Sequence, residues 1–318
     1  ALHWGLELGS ELVLQRFVGA KVDTGGVEVL VFDWYVLLLP AFGGLMSGVV
    51  VQLLFRESTG HGTDLLTRAF HSGLGVFPLR GPLIKSVAAV GVISCGGSAG
   101  PEGPIAALGA ALGSSTGQLL GLSPREKRIL LIAGCAAGVG AIFGCPLGGA
   151  LFATSVPYRE PEFESDAMVP AFFASVLGYS TFISFTPGSQ GARLLGDLPA
   201  LGFSHVSELL PYILLGVLCG LFSIFFASIL HATESGFARL SRVPLWLRPA
   251  IGGLATGIVA CALPQVMDGQ YTLTRVALDL DLQDAGAGIL GAWRWPLFFA
   301  GVAVAKCLAT SLTVGSGA

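Results

Sequence analysis

Long uncharged runs alternate along the chain with short clusters of polar residues, Gly and Pro. The clearest run is WYVLLLPAFGGLMSGVVVQLLF, Trp34 to Phe55, with aromatic ends suited to the two interfaces of a bilayer. A spanning helix takes about 20 predominantly apolar residues, and this run supplies them. IKSVAAVGVISCGGSAG follows, broken by glycines near its end. Then come a helix expected after Pro104, the run ILLIAGCAAGVGAIFG, LGGALFATSV after a break at Pro146, and MVPAFFASVLGYSTFISF. The segment Thr186 to Glu208 is polar, contains Gly and Pro, and is too charged to span. Beyond it stand LLPYILLGVLCGLFSIFFASIL, IGGLATGIVACALPQVM and WPLFFAGVAVAKCLATSLTVGSGA. The organisation expected is an amino-terminal transmembrane half over 1–190, a connecting loop over 191–205, and an incomplete carboxy-terminal transmembrane half over 206–318.

Many of these runs are shorter than a full span and end at Gly or Pro, the pattern of discontinuous helices. Irregular backbone at membrane depth is tolerated only when buried in protein or lining a cavity, so the pattern itself points to a solute pathway. Composition agrees. Hydrophobic residues make up 53% of the chain and charged residues only 12%, about half the charged share of globular domains. The 46 glycines follow no collagen period; Gly and Pro are both frequent in membrane helices. The fold class expected is an all-α polytopic membrane protein, multi-pass in a membrane, most simply the cell membrane. A β-barrel would need short alternating segments, which the sequence lacks.

The formal net charge of −3 says little, because most charges fall in a few loops. The basic turn RLSRVPLWLR, with Arg239, Arg242 and Arg248, points to a cytoplasmic loop. A basic stripe interleaved with aromatics is absent, which argues against nucleic acid as a partner. Six cysteines sit singly in apolar or small-residue segments and read as packing residues, not as metal ligands or disulfides. Hydrolytic motifs are missing and the five histidines are scattered, so neither enzymatic chemistry, a cofactor nor a metal is called for.

One stretch stands out. SCGGSAGPEGPIAALGAALG, Ser94 to Gly113, sets a single carboxylate, Glu102, among tiny and apolar residues. Gly103-Pro104 reads as a helix start, since proline at the first helical position loses no hydrogen bond. Gly109, Gly113 and Gly117, spaced by four, form a stripe for close packing against a neighbour. Glu102 therefore belongs at the electropositive amino end of a short buried helix. A capping role there is worth about 0.3–1 kcal/mol. An acid near a bilayer centre costs about 2.5–3.5 kcal/mol on insertion scales. The difference favours a second reading, in which the carboxylate occupies an anion site and swings away when an anion enters. A second candidate is STGHGTDLLTRAF, where Gly60 and Gly62 flank His61 and Thr63 is placed to start another short helix. His61 reads either as a satisfied turn residue or as a titratable pore group. The terminal Gly315, Ser316 and Gly317 are a third candidate wall.

At these places the chain resembles the CLC family of chloride channels and proton/chloride exchangers. GPEGP is similar to the family's G-[KR]-E-G-P gate motif, GHGTD to its G-S-G-I-P, and the final GSGA to the opening of G-S-G-x-x-G-G-x-F-x-P. GCAAGVGAIFGCPLGGALF resembles the segment between gate and inner proton site. The resemblance implies a homodimer with one chloride pathway per subunit, each subunit built from two inverted halves whose partial helices aim their amino ends at the anion. On that basis Glu102 is the gate. Gly60, His61 and Gly62 line the inner side of the site, and Gly103, Pro104 and Ile105 the outer side.

Three departures bear on mechanism. His61 and Asp64 stand where the family has serine and proline, and Pro101 replaces a basic residue beside the gate. The exchangers' inner proton-accepting glutamate falls at Val156, which carries no proton. That favours channel-like conduction over exchange, unless Glu160 or Glu162 serves instead. A non-transporting, anion-sensing homologue and a carrier for another solute are the competing classes. The amino terminus carries neither an initiating methionine nor a leader pattern, and the chain stops inside the third motif, so a longer protein is expected.

Overall fold

In a computed structural model, the structure describes residues 22–24, 27–29, 35–55, 62–158, 165–186, 206, 209–267 and 288–318. A two-stranded antiparallel ribbon, β1 (Val22–Thr24) and β2 (Val27–Val29), precedes a helical body. The helices are α1 (Tyr35–Phe55), α2 (Gly62–His71), α3 (Arg80–Ser94), α4 (Glu102–Leu119) and α5 (Pro124–Phe143). They continue as α6 (Pro146–Ser155), α7 (Ser165–Phe185), α8 (Leu209–Arg239), α9 (Arg248–Ala262) with a 3-10 turn at Pro264–Met267, and α10 (Gly288–Gly315). Among the described residues α1, α7, α8 and α10 are long and apolar enough to cross a membrane. The 10-residue α2 and α6 reach only about 15 Å, half the roughly 30 Å hydrocarbon core. The protein is an integral, multi-pass membrane protein with interrupted helices.

Close backbone contact at glycine holds these helices together. A Cβ added to Gly109 would run into the Gly134 carbonyl oxygen, and one on Gly134 into that of Gly109. Gly113 meets Leu130 O and Gly138 meets Ile105 O in the same way, so α4 and α5 run antiparallel with matched stripes. The stripe at 109, 113 and 117 thus has α5 as its neighbour. A second antiparallel seam joins α1 to α9, where Gly44, Gly48, Gly253 and Gly257 abut the carbonyls of Pro249, Trp246, Pro40 and Leu37. The core between α2, α4, α5, α6 and α7 is correspondingly small-residued: Ala106, Ala110, Ala111, Ala136, Ala153 and Ala171 are buried around Leu66, Leu131 and Ile132. Small residues let backbones approach, which matters where lipid is as apolar as the protein and burial of hydrocarbon gives little advantage.

Helix ends follow local chemistry. Val92 O accepts from Gly97 N–H and Ile93 O from Gly96 N–H, both at 2.9 Å, closing α3 with a left-handed glycine at φ 78°. α10 closes alike, with Gly317 at φ 93° donating to Val314 O at 2.9 Å. Arg248 donates to Leu240 O at 3.0 Å and to Val243 O at 3.3 Å, so this arginine of the basic turn satisfies carbonyls just beyond the end of α8.

α5 begins earlier than its apolar run, because Ser123 and Glu126 form a capping box. The box lies in the charged stretch ahead of the apolar segment that begins at Ile129. The Ser123 hydroxyl and its backbone N–H hold the Glu126 carboxyl below its ordinary value. A depressed folded-state value means the box stabilises fully above the unfolded carboxylate's pKa, about 4.3, and loses its effect as pH falls through the lowered one. Ser123→Ala is expected to cost about 1 kcal/mol at neutral pH. Thermal unfolding in detergent should show that difference from the parent shrinking below roughly pH 4.

Candidate functional site

Glu102 is the first residue of α4, one position before Gly103 and two before Pro104. Pro104 therefore occupies the third helical position and not the first, and still sacrifices no bond, because first-turn amides have no intrahelical acceptor. Pro101 stands at the N-cap with no side chain that can accept from them. Ile105 N–H is already used, donating to Pro101 O at 3.0 Å. Of the three outer-wall residues, Gly103 is thus the one with an amide at the open turn. A Cβ on Gly103 would meet nothing within 4 Å, so space adjoins the helix end there. The Glu102 side chain is partly exposed and folds back over Gly100, where an added Cβ would collide with its Oε2 and stand 2.7 Å from Cδ. A carboxylate thus sits at the positive end of a helix whose far side is locked against α5.

α3 gathers the other parts. The Ser86 hydroxyl faces Pro104 O at 3.5 Å, and Lys85, one residue earlier, feels the charge of Asp64 in the first turn of α2. The middle of α3 therefore lies beside the amino ends of both α2 and α4. Gly62 opens α2, whereas Gly60 and His61 fall outside the described residues. The terminal Gly315, Ser316 and Gly317 are held elsewhere. Gly315 abuts Thr233 of α8, the buried Ser316 donates to Thr313 O at 2.8 Å, and Gly252 of α9 presses on its hydroxyl. Their tie to the Glu102 segment runs through Thr310, about 8 Å back along α10, whose hydroxyl meets that of Ser98 at 2.9 Å.

Val156 caps α6 and packs against the core at the opposite, carboxyl end of α2. There His71 Nε2 bonds to Pro157 O at 2.8 Å, and Phe70, His71 and Tyr158 stack edge to face with the Arg128 guanidinium over Phe70. Glu160 and Glu162 lie outside the described residues. Sequence reasoning passed over Lys85, Ser98 and Thr310. Lys85 had a signal, a cation inside an apolar run; the two hydroxyls had none, since their pairing joins residues far apart in the chain.

Residues 43–318 match the family model described as voltage gated chloride channel. An uncharacterized protein of Methanocaldococcus jannaschii is 30% identical over 282 residues, covering 89% of this chain and 66% of that one. Chloride channel protein CLC-e of Arabidopsis thaliana is 32% identical over 238 residues, covering 73% of this chain and 33% of its own length. The chain therefore spans between a third and two thirds of these relatives. Two solved structures share the fold. A slow cyanobacterial Cl-/H+ antiporter superposes with a TM-score of 0.73 at 20% identity, covering 100% of this chain and 69% of that one. A CLC-type fluoride/proton antiporter does so at 0.71 and 22%, covering 99% and 71%. With the interrupted helices, the glycine seams and a carboxylate at the amino end of α4, these matches place the chain in the CLC family.

Proposed function

We propose that this protein conducts chloride or a similar small monovalent anion across the membrane, with Glu102 as the gate. The observation that carries the reading is the Glu102 carboxyl folded over Gly100 at the amino end of α4, beside open space at Gly103. A carboxylate and an anion compete for the same positive end, so one displaces the other. Gly60, His61 and Gly62 complete the inner side, whereas Gly315 to Gly317, packed against α8 and α9, reach the site only through Thr310 and Ser98. The protein works as a homodimer, each subunit made of halves 1–190 and 206–318. The like endings of α3 and α10, each a left-handed glycine eleven residues after a lysine (Lys85 to Gly96, Lys306 to Gly317), support such a repeat.

Conduction is passive in this reading, because Val156 stands where a proton acceptor is required and packs as an apolar group. Proton-coupled exchange has one observation in its favour: His71, a titratable group, bonds to Pro157 O right beside Val156. The purified protein in liposomes, watched with a chloride electrode and a pH electrode together, separates these. Chloride efflux without stoichiometric proton movement is the expected result. Coupled proton uptake would move the assignment to exchange, and anion binding without flux would make the protein a sensor.

A further inference from the structure

The loop that presents Glu102 is fixed at both ends. At one end the glycine turn after α3 sets its direction, and at the other Ile105 N–H closes on Pro101. Between them Ser98 is 1% exposed and its hydroxyl meets Thr310 of α10 at 2.9 Å. Neighbouring hydroxyls differ: Ser94, one turn earlier in the chain, and Ser311, next to Thr310, are buried with no hydrogen-bond partner among the described residues. Of these hydroxyls from the two elements, only the pair at Ser98 and Thr310 bridges from α10 to the loop. Ser98 is four residues from Glu102, and Gly100, over which the carboxyl folds, lies between them.

We infer that Ser98 and Thr310 are positioning residues for the gate. Their hydroxyl pair anchors the Cys95–Pro101 loop to α10 and so sets how firmly the Glu102 carboxylate is seated at the amino end of α4. This rests on the reading of Glu102 as gate. Movement of α10 reaches the gate through this contact, which ties the carboxy-terminal part of the chain to the loop of the amino-terminal part.

The sign of the effect follows. The closed state is the seated carboxylate; anchoring it favours the ionised form and delays opening until lower pH. Loss of the anchor loosens the seat, so opening begins at higher pH. Chloride efflux from liposomes, normalised to each protein's own low-pH value, should show Ser98→Ala and Thr310→Val each moving the midpoint up by about 0.7 pH unit. That is a fivefold change in the closed-to-open ratio, or about 1 kcal/mol, the worth of one hydrogen bond. The double variant should move it no further, and Thr310→Ser should restore the parental midpoint. Unmoved midpoints in folded protein, or shifts that add in the double variant, would overturn the inference, since a merely structural contact alters stability and leaves the midpoint alone. If Thr310→Val does not yield folded protein, Ser98→Ala and Thr310→Ser carry the test. Glu102→Gln in parallel keeps the two readings apart. A variant still pH-dependent removes the gate itself, whereas a flat one alongside unmoved Ser98 and Thr310 midpoints removes only the anchor.

Discussion

Glu102→Gln is expected to abolish the pH dependence of anion flux. Glutamine keeps the shape of the side chain and removes its charge, and charge is what seats the group at the amino end of α4. A carboxylate in a partly buried position at a helix terminus gains up to about 2 kcal/mol from the dipole and first-turn amides, a factor of roughly 30 in a two-state equilibrium. With Glu102 as the proposed gate, protonation would remove that attraction, so the parent's flux is expected to rise as pH falls. The neutral variant has no attraction to lose. Its flux at pH ~7.5 should equal its flux at pH ~4.5, while the parent's should differ by roughly tenfold or more. Chloride efflux from liposomes at the two pH values decides it. A variant as pH-dependent as the parent would leave Glu102 a helix cap and nothing more.

What the sequence made legible was whatever local spacing encodes. Glycines at 109, 113 and 117 announce a close helix contact because the four-residue spacing itself places them on one face. The break at Pro146 announces α6, and the glycines after Ser94 announce the end of α3. Less legible were ends set by polar residues. The charged stretch after Ser123 lies ahead of the apolar run and is the start of α5, because a capping box needs only Ser and Glu three residues apart. HATESGFAR follows the apolar run that ends at Leu230 and continues α8 to Arg239, since helix hydrogen bonding does not stop where hydrophobicity does. Least legible was the surrounding of the site. Lys85 beside Asp64, Ser86 against Pro104, and Ser98 on Thr310 are tertiary contacts with no period in the sequence. Ser98 and Thr310 lie 212 residues apart. The Gly-Pro pair put Glu102, Gly103 and Pro104 at the amino end of a helix and the resemblance gave them their roles, but only the geometry shows that Ile105 has already committed its amide.

Gly134→Val is expected to prevent α4 and α5 from closing on each other. The added Cβ would strike the Gly109 carbonyl oxygen and stand 2.9 Å from its carbon and 3.1 Å from Gly113 N. All three are backbone atoms, so no rotamer change relieves the clash and the helices must separate. Overpacking a core costs about 1–3 kcal/mol, occasionally more, even when side chains can yield. Here none can, and the loss should reach about 3 kcal/mol or more, a large part of a typical stability of about 5–15 kcal/mol. Gly109→Val should fail in the same way, because the contact is reciprocal. Gly216→Ala in α8 is the control: its Cβ meets nothing within 4 Å, so the better helix propensity of alanine should leave stability equal or raised. Thermal unfolding in detergent, with recovery of monodisperse protein, compares the three. A Gly134→Val protein as stable as the parent would mean that the two helices stand further apart than a shared glycine contact requires.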